Sequence, residues 1–192
     1  KSMGGGVTFS GGEPTLQTPF IASLAQKLKQ EDIHLALDTC GYTSWENYQV
    51  LLPYMDLILY DLKEMDPVRH RNETGVDNHL IHENLLRMCQ YIQEEHLPTH
   101  IWIRTPVIPE MTATLENIQA IARFLSPMSA FVDKWELCAF NNLCRDKYHQ
   151  LGTDWTLEHM PLLTQVQFKR LLDVAQQSAL KQVVGSGLYQ ND

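Results

Sequence analysis

The chain has no apolar run close to the roughly 18–20 residues that a membrane span requires. It is also poor in positive charge. Fifteen Lys and Arg against 23 Asp and Glu leave a formal net charge of −8, which argues against non-specific nucleic-acid binding and does not favour an anionic membrane surface. Cysteine is scarce: Cys40, Cys89, Cys138 and Cys144 are irregularly spaced and suit a reducing cytoplasm better than a disulfide framework. No G-x-x-x-x-G-K-[ST] loop is present to cradle nucleotide phosphates. The first residues lack the basic-then-apolar pattern of a signal peptide, and no low-complexity stretch or linker divides the chain. The expectation is a cytoplasmic protein with residues 1–192 as a single domain, its 44% hydrophobic content ample for one core.

What is present begins with a glycine-rich turn. Residues 4–14 read Gly-Gly-Gly-Val-Thr-Phe-Ser-Gly-Gly-Glu-Pro, a short β-branched run that ends in two glycines, an acid and a proline. Gly11 and Gly12 permit φ > 0 and let a ligand approach the main chain closely. Glu13 suits a cationic group such as an α-amino group, where a phosphate loop would offer a lysine and free amides.

Strand-like and helix-like periodicities then alternate. Strands are expected over 7–10, 33–37, 56–60, 99–103 and 132–138, with a short sixth over 182–187. Helices are expected over 16–30, 45–52, 67–73, 79–95, 115–125 and 165 to about 179, with Ser44 and Thr114 capping two of them. The helix over 16–30 places Phe20, Ile21, Leu24 and Leu28 on one face, and that over 79–95 turns Leu80, Leu85, Met88 and Ile92 inward. Five β/α repeats with apolar strands indicate an α/β fold with a parallel sheet, either doubly wound or a partial barrel. Both architectures carry functional side chains beyond the C-terminal strand ends. Those ends read Ser-Gly-Gly-Glu, Asp-Thr-Cys-Gly, Asp-Leu-Lys, Arg-Thr-Pro and Ala-Phe-Asn-Asn, and all five are expected to form one site. A parallel strand opening the chain would leave an open edge, so the first β/α unit is expected to be missing from this sequence.

Asp38 and Asp61 fall at neighbouring strand ends. Two bare carboxylates about 4 Å apart repel by roughly 4 kcal/mol at an effective dielectric near 20. Lys63 offsets part of this, and a hard cation or a ligand's ammonium would supply the rest, because the donors are oxygens. A plainer reading makes Asp38 a turn cap and pairs Asp61 with Lys63. Cys89 reads as core and Cys40 as a small buried thiol. His79-x-x-His82 has no third ligand in phase, which argues against zinc. The loop over 141–161 exceeds an ordinary connection and is expected either to cover the site or to contact a partner.

In chain order, residues 4–17 (GGGVTFSGGEPTLQ), 37–41 (LDTCG), 59–63 (LYDLK), 74–78 (TGVDN) and 102–109 (WIRTPVIP) resemble the radical S-adenosylmethionine enzymes. More narrowly they resemble the glycyl radical enzyme activating enzymes, the group that includes pyruvate formate-lyase activase. The resemblance is collinear from Gly4 to about Leu137 and implies a partial (β/α)6 TIM-like barrel with parallel strands. It implies that S-adenosyl-L-methionine is cleaved reductively at a [4Fe–4S] cluster to a 5′-deoxyadenosyl radical. That radical takes a hydrogen from a glycine of a partner glycyl radical enzyme, and a flavodoxin- or ferredoxin-type donor supplies the electron. On this resemblance Gly11, Gly12 and Glu13 hold the methionine amino group, and Asp61, Leu62 and Lys63 contact the ribose or carboxylate. Arg104 reaches the cofactor or the partner. Asp38, Thr39 and Asp61, with the Leu59 carbonyl, match a site for Na+ or K+.

Two departures stand out. Phe140-Asn141 occupies the place of a Tyr-His pair; Asn141 can hydrogen-bond adenine or ribose but cannot carry charge or transfer a proton. The family's C-x3-C-x2-C motif is absent from these 192 residues, and the C-x5-C pair Cys138 and Cys144 does not replace it. The chain alone is therefore expected to bind no cluster and to be inactive. The alternatives are a cation-dependent (β/α) barrel lyase or isomerase and a non-catalytic binding module.

Overall fold

A computed structural model describes residues 5–190, so Gly4 of the opening motif lies outside it. Six strands form one sheet: β1 (Gly6–Phe9), β2 (His34–Thr39), β3 (Leu57–Asp61), β4 (His100–Val107), β5 (Val132–Ala139) and β6 (Val183–Ser186). All pairings are parallel and the spatial order is the order in the chain. A doubly wound sheet would reverse its strand order at a switch point; here nothing reverses. With β1 and β6 at opposite edges, the sheet is an open, singly wound partial barrel of the TIM type.

The helices are α1 (Thr18–Gln30), α2 (Trp45–Leu51), α3 (Pro67–Thr74), α4 (His79–Glu94), α5 (Leu115–Leu125), α6 (Arg145–Gln150) and α7 (Gln165–Ala175). Crossovers that are all right-handed and step in one direction put the helices on one side of the sheet. Strand burial follows from this. Leu35, Leu37, Ile58, Tyr60, Ile103 and Trp135 are fully buried, whereas the alternating Asp38, Leu59, Asp61, Trp102, Arg104 and Glu136 are half-buried. The strands are therefore not apolar on both faces. One face packs the core, and the concave face is polar toward its C-terminal rim.

Several local expectations shift. In α1 the buried line is Thr18, Ile21 and Ala25, and Phe20, about 100° away around the helix, is 64% exposed. In α4 Ile81, not Leu80, joins Leu85, Met88 and Ile92 in the core. Ser44 sits at the N-cap of α2 with extended backbone but makes no capping hydrogen bond, while Thr114 caps α5 through the Asn117 N–H. The last helix ends at Ala175, four residues early. β4 continues through Pro106 to Val107, placing Arg104 inside the strand. Proline is tolerated there because Arg104 faces β3, accepting from the Leu62 N–H, and Val107 faces β5, accepting from the Phe140 N–H. Alternation turns Pro106 toward β3, whose pairing has already ended at Asp61, so the missing N–H has no partner to lose.

Candidate functional site

The C-terminal ends of β1 to β4 open onto one polar cavity of about 250 Å³. Its walls are Gly11 and Gly12 after β1, Asp38 near the end of β2 with Cys40 just beyond it, Asp61 at the end of β3 with Lys63 just beyond it, and Arg104 in β4. Four of the five strand ends expected to converge do so. The fifth does not line this cavity: Asn141, after β5, is half-buried and its Oδ1 accepts from the Leu143 N–H. A Cβ built on Gly11 or Gly12 would meet nothing within 4 Å, so the turn leaves open space beside exposed main chain.

Arg104 settles how the two carboxylates coexist. Its Nη2 donates to the Asp38 carboxylate and, at 3.1 Å, to Asp61 Oδ1. Lys63 Nζ lies 3.2 Å from Asp61 Oδ2, and Ser10 Oγ donates to Asp38 Oδ2 at 3.1 Å. The repulsion expected between Asp38 and Asp61 is thus offset mainly by a guanidinium, which the resemblance directs toward the cofactor or the partner. The register explains the reach: Asp61 and Arg104 are directly paired on adjacent strands, and Asp38 is one strand further along the same concave face. Burial alone would lower the Arg104 pKa, but Asp61 and Asp38 outweigh it and hold the group cationic. Its Nε is buried without a hydrogen-bond partner.

Glu13 behaves differently from the expectation. Oε1 accepts from Thr15 N–H (3.1 Å), Thr15 Oγ1 (2.7 Å) and Thr39 Oγ1 (2.9 Å), and Oε2 accepts from Cys40 N–H (2.8 Å). Three of these donors converge on Oε1, which leaves Oε2 one acceptor position beyond Cys40. Burial would raise the Glu13 pKa, yet the bonds from Thr15 and Cys40 win and hold it below the usual range. The carboxylate staples the turn after β1 to the end of β2. Since Thr39 gives its proton to Glu13, its 2.8 Å contact with Tyr48 must have the tyrosine donating, and Gly41 N–H supplies a third bond at 3.2 Å. The Thr39 hydroxyl therefore has no lone pair left for a cation.

Leu62, expected to contact a cofactor, has its side chain in the core at 1% exposure, and its N–H donates to the Arg104 carbonyl. Cys89 is core, and burial pushes its thiol up to about 12. Cys40 is half-buried on the cavity wall, its pKa raised by burial and by Glu13. Among the described residues no cluster of three or more His, Cys, Asp or Glu is grouped to hold a metal ion, and no helix is long and apolar enough to cross a membrane. The sequence reading missed Thr15 and Tyr48. A threonine two residues after the acid is a local signal for the first; nothing local marks the second.

The family described as the Radical SAM superfamily matches residues 1–125. The chain belongs to that superfamily. The curated relatives it matches include activating enzymes. The isethionate sulfite-lyase activating enzyme of Nitratidesulfovibrio vulgaris is 34% identical over 176 residues, 92% of this chain and 55% of that protein. The pyruvate formate-lyase-activating enzyme of Clostridium pasteurianum is 33% identical over 168 residues, 88% of this chain and 67% of that protein. A solved domain of the pyruvate-formate lyase-activating enzyme from Bacteroides vulgatus aligns with TM-score 0.75 at 28% identity, covering 95% of this radical SAM chain and 100% of that domain. The chain spans about half the length of the first curated relatives it matches, 55%, 45% and 49%.

Proposed function

We propose that this chain forms the S-adenosylmethionine-binding part of a glycyl-radical-enzyme activating enzyme. The supporting observation is the convergence of Gly11-Gly12, Asp38, Asp61, Lys63 and Arg104, from four successive strands, on one polar cavity. The amino-acid end of the cofactor is a zwitterion, and the donor set suits it. The open main chain of Gly11-Gly12 and the carboxylates of Asp38 and Asp61 receive the ammonium. Lys63, beside the cationic Arg104, receives the carboxylate. A cavity of about 250 Å³ is smaller than the roughly 300–1,000 Å³ of most small-molecule pockets, a size that suits the amino-acid end of the cofactor.

In this reading Glu13 shapes the glycine turn and does not touch the ligand, and Leu62 contributes only through its main chain. Arg104 takes the place of the Na+ or K+ that Asp38, Thr39 and Asp61 were expected to hold. The residues lining the cavity would hold S-adenosylmethionine, whose reductive cleavage would supply the radical that takes hydrogen from a glycine of the partner. The [4Fe–4S] cluster that the superfamily implies does not fit this chain's own thiols. Cys89 is core, and Cys40, Cys138 and Cys144 sit apart in the chain with none of the family's spacing. The partners implied are a glycyl radical enzyme and a flavodoxin- or ferredoxin-type donor.

The test uses the full-length protein with its cluster reconstituted. Asp61→Ala and Lys63→Ala are each expected to lower the yield of 5′-deoxyadenosine about tenfold or more, the scale of removing one charged group from a preorganised site. Chromatographic quantitation of that product decides it. Unchanged yield in both variants removes these residues from the site.

A further inference from the structure

Three buried asparagines grip the main chain that carries the cavity, and of these only Asn78 fell within a segment singled out in the sequence, TGVDN. Asn84 of α4 donates to the carbonyls of Gly41 (2.9 Å) and Thr43 (2.8 Å), after β2. Asn78, at the start of α4, donates to the carbonyls of Glu64 (2.8 Å) and Met65 (2.9 Å), after β3. Asn117 of α5 donates to the carbonyls of Lys63 (2.8 Å) and Thr112 (3.2 Å) and accepts from the Met65 N–H at 2.9 Å. All three are at most 2% exposed. Every partner of their amide nitrogens is a carbonyl oxygen, which can only accept, so chemistry fixes the amide orientation.

Packing alone does not call for these residues. Asn84 and Asn117 sit in buried rows otherwise made of residues such as Ile81, Leu85, Ile118 and Ile121, and asparagine is a weaker helix former than leucine. What they add is local. The segment just after β3 is held from two sides, by Asn78 and Asn117, and it is the segment from which Lys63 projects into the cavity. Asn117 also ties it to Thr112, whose hydroxyl donates to the Pro106 carbonyl and accepts from the Ile108 N–H. One side chain thereby couples the main chain after β3 to the main chain after β4. Asn84 does the equivalent for the segment next to Cys40.

We propose that Asn117, aided by Asn78, is a positioning residue: it holds the Lys63 main chain in ligand-receiving geometry without touching the ligand. The part that concerns affinity rests on the cofactor reading above. The part that concerns the main chain does not.

The experiment compares Asn117→Ala and Asn117→Asp with Leu125→Ala in the full-length protein. Leu125 is fully buried at the opposite end of α5, so its truncation lowers stability without removing a clamp. Amide hydrogen exchange over residues 62–66 is expected to rise about tenfold or more in Asn117→Ala relative to Leu125→Ala at matched stability, as follows from losing a buried hydrogen bond, and to rise less in Asn117→Asp, which keeps an acceptor for the Met65 N–H. The affinity for S-adenosyl-L-homocysteine, by calorimetry, is expected to fall by a similar factor. Exchange over 62–66 no faster than in Leu125→Ala overturns the proposal. A loosened segment with unchanged affinity overturns the positioning role. A loosened segment in a protein whose wild type does not bind S-adenosyl-L-homocysteine supports the clamp and sinks the cofactor reading.

Discussion

Glu13 carries the clearest lesson about single side chains. Its carboxylate suits an ammonium when read in the chain, yet donors of the same chain surround it in space. The nearest of them, Thr15, is two residues away and legible; Thr39 is 26 positions distant and is not. Because the folded pKa of Glu13 lies below the ordinary 4.5, the stabilisation it contributes is complete above that value and is lost as pH falls through the lower, folded one. Glu13→Gln is expected to cost about 1–3 kcal/mol at neutral pH, with the gap to wild type closing below pH 4.5 in urea denaturation series. A gap that stays constant across the acid range contradicts this. Arg104 is the parallel case. Its partner Asp38 is 66 residues away, so a bridge between two strand-end carboxylates cannot be anticipated from spacing.

The strands and helices themselves were mostly legible, because apolar periodicity and punctuation by proline, threonine and glycine are local. Their edges were less so. β4 passes through Pro106 because its neighbour has already ended, and α1 turns Phe20 outward because the burial line belongs to Ile21 and Ala25. The turn between β2 and α2 shows how tightly one connection is constrained. Gly41 has φ of +81°, and a Cβ there would lie 2.2 Å from the Tyr60 hydroxyl, which donates to the Ile81 carbonyl at 2.6 Å. Gly41→Ala combines a left-handed backbone with a buried clash and is expected to cost about 2–4 kcal/mol. A denaturation midpoint within error of wild type would show that the turn relaxes.

Across the molecule, the singly wound order gives the sheet one apolar face and one that turns polar toward its C-terminal rim. The polar face collects Asp38, Asp61, Lys63 and Arg104 at its rim, and half-burial strengthens their coupling relative to water. Arg104→Ala leaves the two carboxylates facing each other. The variant is expected to lose about 1–3 kcal/mol of stability at neutral pH, less than the 3–5 of a fully buried pair because the groups are partly solvated. If the vacated position suits a small cation, NaCl or KCl restores more of that loss than choline chloride at equal ionic strength. Equal recovery by all three salts would reduce the effect to general screening.

Read without any coordinates, the chain already specified its alternation of strands and helices, its glycine turn, the acids and lysine at successive strand ends, and its place among the radical SAM activating enzymes. Those properties reside in runs of a few residues, where periodicity and motif chemistry are local. The Arg104 bridge, the internally bonded Glu13 and the asparagine clamps emerged only on folding. Each depends on groups tens of residues apart, and hydrogen bonding acts over a few ångströms of space, not over positions in a chain.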